Sequence, residues 1–179
     1  MTQVGSVYAQ ALYSLAAEEG ITAPILRELT ALREGFSQEP EFLRLLDTPN
    51  LPKQERCQIL EESFGGKVHP YVLNFLKLLT EKGYVRHFPD CCQAYQEEYN
   101  AENGILPVTA VTAVALTEAQ SVRLAEKLSG LTGKTVQLHN RVEPGCLGGV
   151  RLDYDGKRVD DTVSHRLENI GKMLKNTVL

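Results

Sequence analysis

The side chains in this sequence that could do chemistry are scattered. His87 and Cys91 stand four apart, the spacing by which one helix face can share a metal ion, but Pro89 lies between them and no second ligand pair is near. Cys91 and Cys92 are adjacent, so on a helix they point about 100° apart and serve packing. Glu61 with Glu62, and Glu97 with Glu98, have no histidine or basic neighbour placed to tune them and read as solvated helix edges. The glycines of Pro144-Gly145-Cys146-Leu147-Gly148-Gly149 suggest a phosphate cradle. They lack a following Lys-Ser/Thr and lead into a strand, so they fit neither a phosphate loop nor a dinucleotide fingerprint. His69, His87, His139 and His165 complete no set of nucleophile, base and orienting group. The sequence therefore points to no catalytic residue, no metal site and no cofactor.

Composition narrows the remaining classes. A net charge of −4 and a pI near 5.6 argue against a nucleic-acid or anionic-membrane surface. There is no run of 18 apolar residues and no secretion signal, so a membrane role is expected only through partners. Cys57, Cys91, Cys92 and Cys146 show no metal or disulfide spacing, which fits reduced thiols in a cytosolic compartment.

What such a chain can offer is surface, and the helices decide which. Pro70 to Lys82 reads as one helix, with proline in its first turn and Gly83 just past its end. Tyr71, Phe75 and Leu78 fall on one stripe and Val72, Leu76 and Leu79 on a second, leaving Asn74, Lys77 and Glu81 as a narrow polar edge. Apolar side chains over so wide an arc require cover on two sides, either from the domain itself or from the domain and a partner helix. The first helix, from about Val4 to Glu19, repeats the pattern. Val4, Tyr8, Ala11 and Leu15 form one stripe, and Ala9, Leu12, Tyr13 and Ala16 the other. Its small residues allow close approach of a neighbour, and two such helices side by side make a trough. Thr22 and Pro24 start a helix over Ile25 to Phe36, Pro40 and Pro52 open two more, and Pro89 a sixth.

After Gly104 the period changes from helical to alternating. Pro107 starts a strand over 108–115, and Thr117 with Gln120 fits a capping box opening a helix that carries Val122, Leu124, Ala125, Leu128 and Leu131. Thr135 to Val142 alternates, with Val136, Leu138 and Val142 inward and His139 outward. Asp155-Gly156 marks a hairpin, and Asp160 or Asp161 caps a last helix presenting Val163, Leu167, Ile170 and Leu174. Arg151, Arg158, Arg166 and Lys172 read as exposed. The expectation is an α+β chain: a six-helix bundle over residues 1–104, then a smaller α/β module over residues 105–179 with a mixed sheet and a terminal helix.

Gly148-Gly149-Val150 before a hairpin, Val159-Asp160-Asp161-Thr162, and Arg166-Leu167 together resemble the C-terminal signature of the δ subunit of F-type ATP synthases, the oligomycin-sensitivity-conferring protein of mitochondria. Tyr8-Ala9-x-Ala11-Leu12 resembles that family's first helix, and Phe75 to Gly83 with the Tyr95 helix its fifth and sixth. The chain departs from the usual pattern at Asp161-Thr162, where Gly-Ser is common, and at Tyr84, where Arg is frequent. The resemblance implies a non-catalytic stator subunit at the cytoplasmic face of a bacterial plasma membrane. Its N-terminal part would receive the N-terminal helix of a head α subunit between helices one and five, and its C-terminal part would join the b subunits of the stalk. The stripes supply the candidates for these contacts: Val4, Tyr8, Ala11, Leu15, Tyr71, Phe75 and Leu78 toward the head, with Val163, Leu167 and Ile170, which equally suit the module's own core, toward the stalk. The competing class, a small enzyme or ligand-sensing α/β domain with a helical regulatory module, needs a constellation these histidines do not form.

Overall fold

The computed structural model describes residues 3–48 and 50–167, and the chain divides into two compact units, Met1–Tyr99 and Asn100–Leu179. The helical unit holds α1 (Gln3–Glu18), α2 (Thr22–Gln38), α3 (Pro40–Asp47), α4 (Lys53–Phe64), α5 (Pro70–Lys82) and most of α6 (Phe88–Glu102), with a 3-10 turn at Val85–His87. Proline opens α3 and α5, where a missing N–H costs nothing. Gly83, at φ 74°, closes α5 in the left-handed conformation that glycine adopts without a Cβ clash. The other end of α5 carries a cap that composition did not signal: His69 Nδ1 accepts from the Tyr71 N–H at 3.3 Å. Thr22 does not cap α2. It lies inside the helix, and its carbonyl accepts the Tyr95 hydroxyl at 3.2 Å.

One core runs through this unit. Ala9, Leu12, Tyr13 and Ala16 of α1, Ile25, Leu29 and Leu32 of α2, and Val72, Leu76 and Leu79 of α5 are buried in it. Phe36 gathers Phe42, Phe64 and Phe88 at 5.6, 5.9 and 5.2 Å, and Tyr13 meets Tyr95 edge-on at 5.1 Å. Arg56 is buried as well, donating from Nη1 to the Leu46 carbonyl at 2.9 Å near the end of α3.

The second unit is a four-stranded mixed sheet in the order β2-β1-β3-β4, built from β1 (Ile105–Thr112), β2 (Thr135–Val142), β3 (Val150–Tyr154) and β4 (Lys157–Asp160). β1 and β2 run parallel, joined through α7 (Glu118–Thr132), and β3 runs antiparallel to both β1 and β4. Pro107 is inside β1, at a point where only β2 pairs with it, because β3 pairs with Thr109–Thr112 alone. The strand ends earlier than its alternation suggests. Asn140 donates to the Ala110 carbonyl and to Thr112 Oγ1, both at 2.9 Å, and accepts from the Leu116 N–H, turning the chain out of the sheet and leaving Val114 exposed.

Thr117 and Gln120 form the reciprocal capping box. Val142, expected inward, is 47% exposed near the end of edge strand β2. The last helix is capped by Thr162, not by an aspartate. Thr162 Oγ1 accepts from the His165 N–H at 3.2 Å, while Asp160 accepts from both the backbone N–H and the hydroxyl of Thr162. Residues 163–167 are helical. Arg151, expected at the surface, lies largely covered on the sheet, 3.2 Å from Glu143 and 3.5 Å from Asp153, whereas Arg158 and Arg166 are exposed; Lys172 and Leu174 lie outside the described residues. Gly149 explains the glycine pair. At φ 79°, a Cβ there would stand 2.4 Å from the Asp161 carbonyl, so the glycine segment and the Asp161 segment can pack together only without one.

Candidate functional site: an apolar trough on the helical unit

The outer stripes of α1 and α5 meet around one cavity of about 300 Å³, lined by Tyr8, Ala11, Leu12 and Leu15 from α1 and by Tyr71, Asn74, Phe75 and Leu78 from α5. Both helices contribute residues at the same spacing, i, i+3, i+4 and i+7, so two matching ridges face one trough. Each tyrosine is braced from outside the trough. Tyr8 lies 6.0 Å from the ring of Tyr84, and Tyr71 lies 5.1 Å from that of His69. Leu15 and Leu78 stay 48% and 40% exposed, large apolar side chains left to water in a chain with a full core beneath them.

All six described trough residues expected from the sequence come together here: Tyr8, Ala11, Leu15, Tyr71, Phe75 and Leu78. Phe75 is the exception in degree. It is buried at 6% and forms floor instead of wall, because on the wheel it lies beside the buried Leu79 and Val72. Two lining residues were not expected. Leu12 belongs to the other stripe of α1, and Asn74 to the polar edge of α5, although Asn74 is only about 40° from Leu78 on the wheel. The side chain of Val4 lies outside the described residues.

The lining holds no acidic, basic or histidine side chain, so the trough offers apolar surface and no ion pair. A second cleft of about 480 Å³ among α2, α3 and α4 differs in having Glu28, Glu39 and Lys67 among its lining residues. Lys77 of α5 pairs with Glu61 of α4, away from the trough. Burial pushes the Cys91 and Cys92 thiols up to about 11 and about 12, which keeps both neutral and unreactive. Among the described residues no group of three or more His, Cys, Asp or Glu is placed to hold a metal ion, and no helix is long and apolar enough to cross a membrane.

In the second unit, Val163 and Leu167 are 42% and 56% exposed. Val163 donates its N–H to the Gly148 carbonyl at 3.0 Å, which sets the start of the last helix beside the glycine turn and the exposed Leu147. Ile170 lies outside the described residues.

The family model described as ATP synthase delta (OSCP) subunit matches residues 4–174. The chain belongs to that family. An ATP synthase subunit delta of Alkaliphilus oremlandii is 31% identical over 176 residues, covering 98% of each chain. Another, from Clostridioides difficile, is 29% identical over 98% of this chain and 97% of its own. The fold matches a chain in the cryo-EM structure of the Toxoplasma gondii mitochondrial ATP synthase hexamer with a TM-score of 0.76 at 19% identity, covering 97% of this chain and 98% of that one. As a member of the family the protein is a stator, peripheral-stalk subunit of an F-type ATP synthase, a structural part of the complex and not a catalyst. It serves ATP synthesis and proton transport by that route.

Proposed function

We propose that this subunit clamps the catalytic head to the peripheral stalk through two separate surfaces. The helical part, residues 1–104, acts as a six-helix bundle whose α1–α5 trough receives the N-terminal helix of a head α subunit. The part over residues 105–179 joins the b subunits through Val163, Leu167 and Ile170. The complex, and not the chain itself, holds it at the cytoplasmic face of a bacterial plasma membrane. One observation carries this reading: an uncharged trough with matching i, i+3, i+4, i+7 ridges on two helices has the form that an amphipathic helix fills. Clamping the head resists the torque of the rotor, and two modest contacts in one chain reinforce each other by raising each other's effective concentration.

The test is photocrosslinking in the assembled synthase. A photoreactive phenylalanine analogue placed at Leu78 is expected to yield an adduct with the α subunit, and one placed at Leu167 an adduct with a b subunit. The exchanged pattern, or the same partner from both positions, contradicts the assignment.

A further inference from the structure

Asn74 is the one hydrogen-bonding amide in a trough otherwise lined by apolar and tyrosine side chains. It is exposed, and among the described residues its side chain has no hydrogen-bond partner. It sits between Tyr71 and Leu78 along α5, and the facing ridge of α1 contributes Ala11, Leu12 and Leu15, which offer no polar side-chain atom.

A helix laid into this trough removes water from Asn74. An amide desolvated without a new partner opposes binding, whereas one that finds a partner contributes and fixes the register of what binds. We propose that Asn74 is the register-setting residue of the trough. It hydrogen-bonds to a polar side chain that interrupts the apolar stripe of the docked helix, as a lone asparagine fixes register in helix pairs. The partner helix is therefore amphipathic with one Asn, Gln, Ser or Thr on its buried face at the level of Asn74. This rests on the α1–α5 trough being the head-binding site.

The experiment titrates the full-length protein into the purified catalytic head of its own synthase, comparing wild type with Asn74→Leu, Asn74→Gln and Ala11→Asp. Leucine nearly matches asparagine in shape and adds apolar surface, so burial alone makes Asn74→Leu bind as tightly as wild type or tighter. A hydrogen-bonded Asn74 gives the opposite sign: Asn74→Leu weakens binding by about tenfold or more, since the partner's polar group is left unsatisfied, and Asn74→Gln recovers part of the loss. Asn74 is exposed, and circular dichroism is expected to show the wild-type fold in all variants. Affinity kept or raised in Asn74→Leu, with Ala11→Asp weakened, overturns the role of Asn74 alone. Affinity unchanged in Ala11→Asp overturns the trough as the head-binding site, and the role of Asn74 with it.

Discussion

Gly149 and Gly133 offer a matched pair for testing how the second unit is held together. Both are left-handed, at φ 79° and φ 67°, so alanine at either place carries a backbone cost of about 1 kcal/mol. They differ in what surrounds them. A Cβ at Gly133 meets nothing within 4 Å, whereas one at Gly149 stands 2.4 Å from the Asp161 carbonyl oxygen and 3.1 Å from the Thr162 Cα, backbone atoms that no rotamer change can move. Making room displaces the Asp161 segment. That weakens the bond from the Asp161 N–H to the Val150 carbonyl, at 3.2 Å, and the bond from the Val163 N–H to the Gly148 carbonyl, at 3.0 Å. Two such bonds are worth about 1–3 kcal/mol together, so Gly149→Ala is expected to cost roughly 3 kcal/mol against about 1 for Gly133→Ala. Amide hydrogen exchange on the intact chain reads this locally. Protection of the β3 amides should fall about a hundredfold for Gly149→Ala and about fivefold for Gly133→Ala, with the α5 amides as internal reference. Equal losses for the two variants refute the reasoning, because the close approach at Gly149 is then without energetic consequence.

Further outcomes follow from the caps and the buried thiols. No residue of α7 is fully buried, so the helix leans on its capping box; Thr117→Ala should cost about 1 kcal/mol by the same exchange measurement read at α7. Burial raises Cys91 and Cys92 above their ordinary value of 9.0, to about 11 and about 12. A raised folded value means that stability is fully present below pH 9 and lost as pH climbs through 11 and 12, at about 1.4 kcal/mol per thiol by pH 10. Urea midpoints at pH 7.5 and pH 10 should therefore diverge less in Cys91→Ala/Cys92→Ala than in wild type.

Punctuation and periodicity made much of this architecture legible. Pro70 and Gly83 bound α5 at the residues where the helix begins and ends, because proline and glycine act on the backbone directly. That α1 and α5 each carry an apolar stripe beyond what a single core face needs was legible from helical spacing alone. That the two stripes face each other was not, since nothing local says which of six helices are neighbours; the family resemblance supplied that pairing. Asn74 was misplaced for a different reason: residue type suggested the solvent edge, while angle put it in the trough. The early end of β1 is set by Asn140, 28 residues beyond Thr112, and so leaves no trace in the alternation. At the last helix two aspartates drew attention as caps, but Asp160 is occupied by Thr162 itself, and the threonine hydroxyl is the group left to meet the His165 N–H.

The most direct test of the clamp is the affinity of the full-length protein for the catalytic head before and after Ala11→Asp, measured by titration calorimetry. Ala11 is exposed on the trough wall, so the free protein should keep its fold. A docked helix must then cover a carboxylate that meets no cation among the trough residues, at a cost of about 2 kcal/mol or more, beyond tenfold in affinity. A weakened head and an unchanged affinity for the b subunits are the predicted result. An unchanged head affinity in a folded Ala11→Asp protein contradicts it.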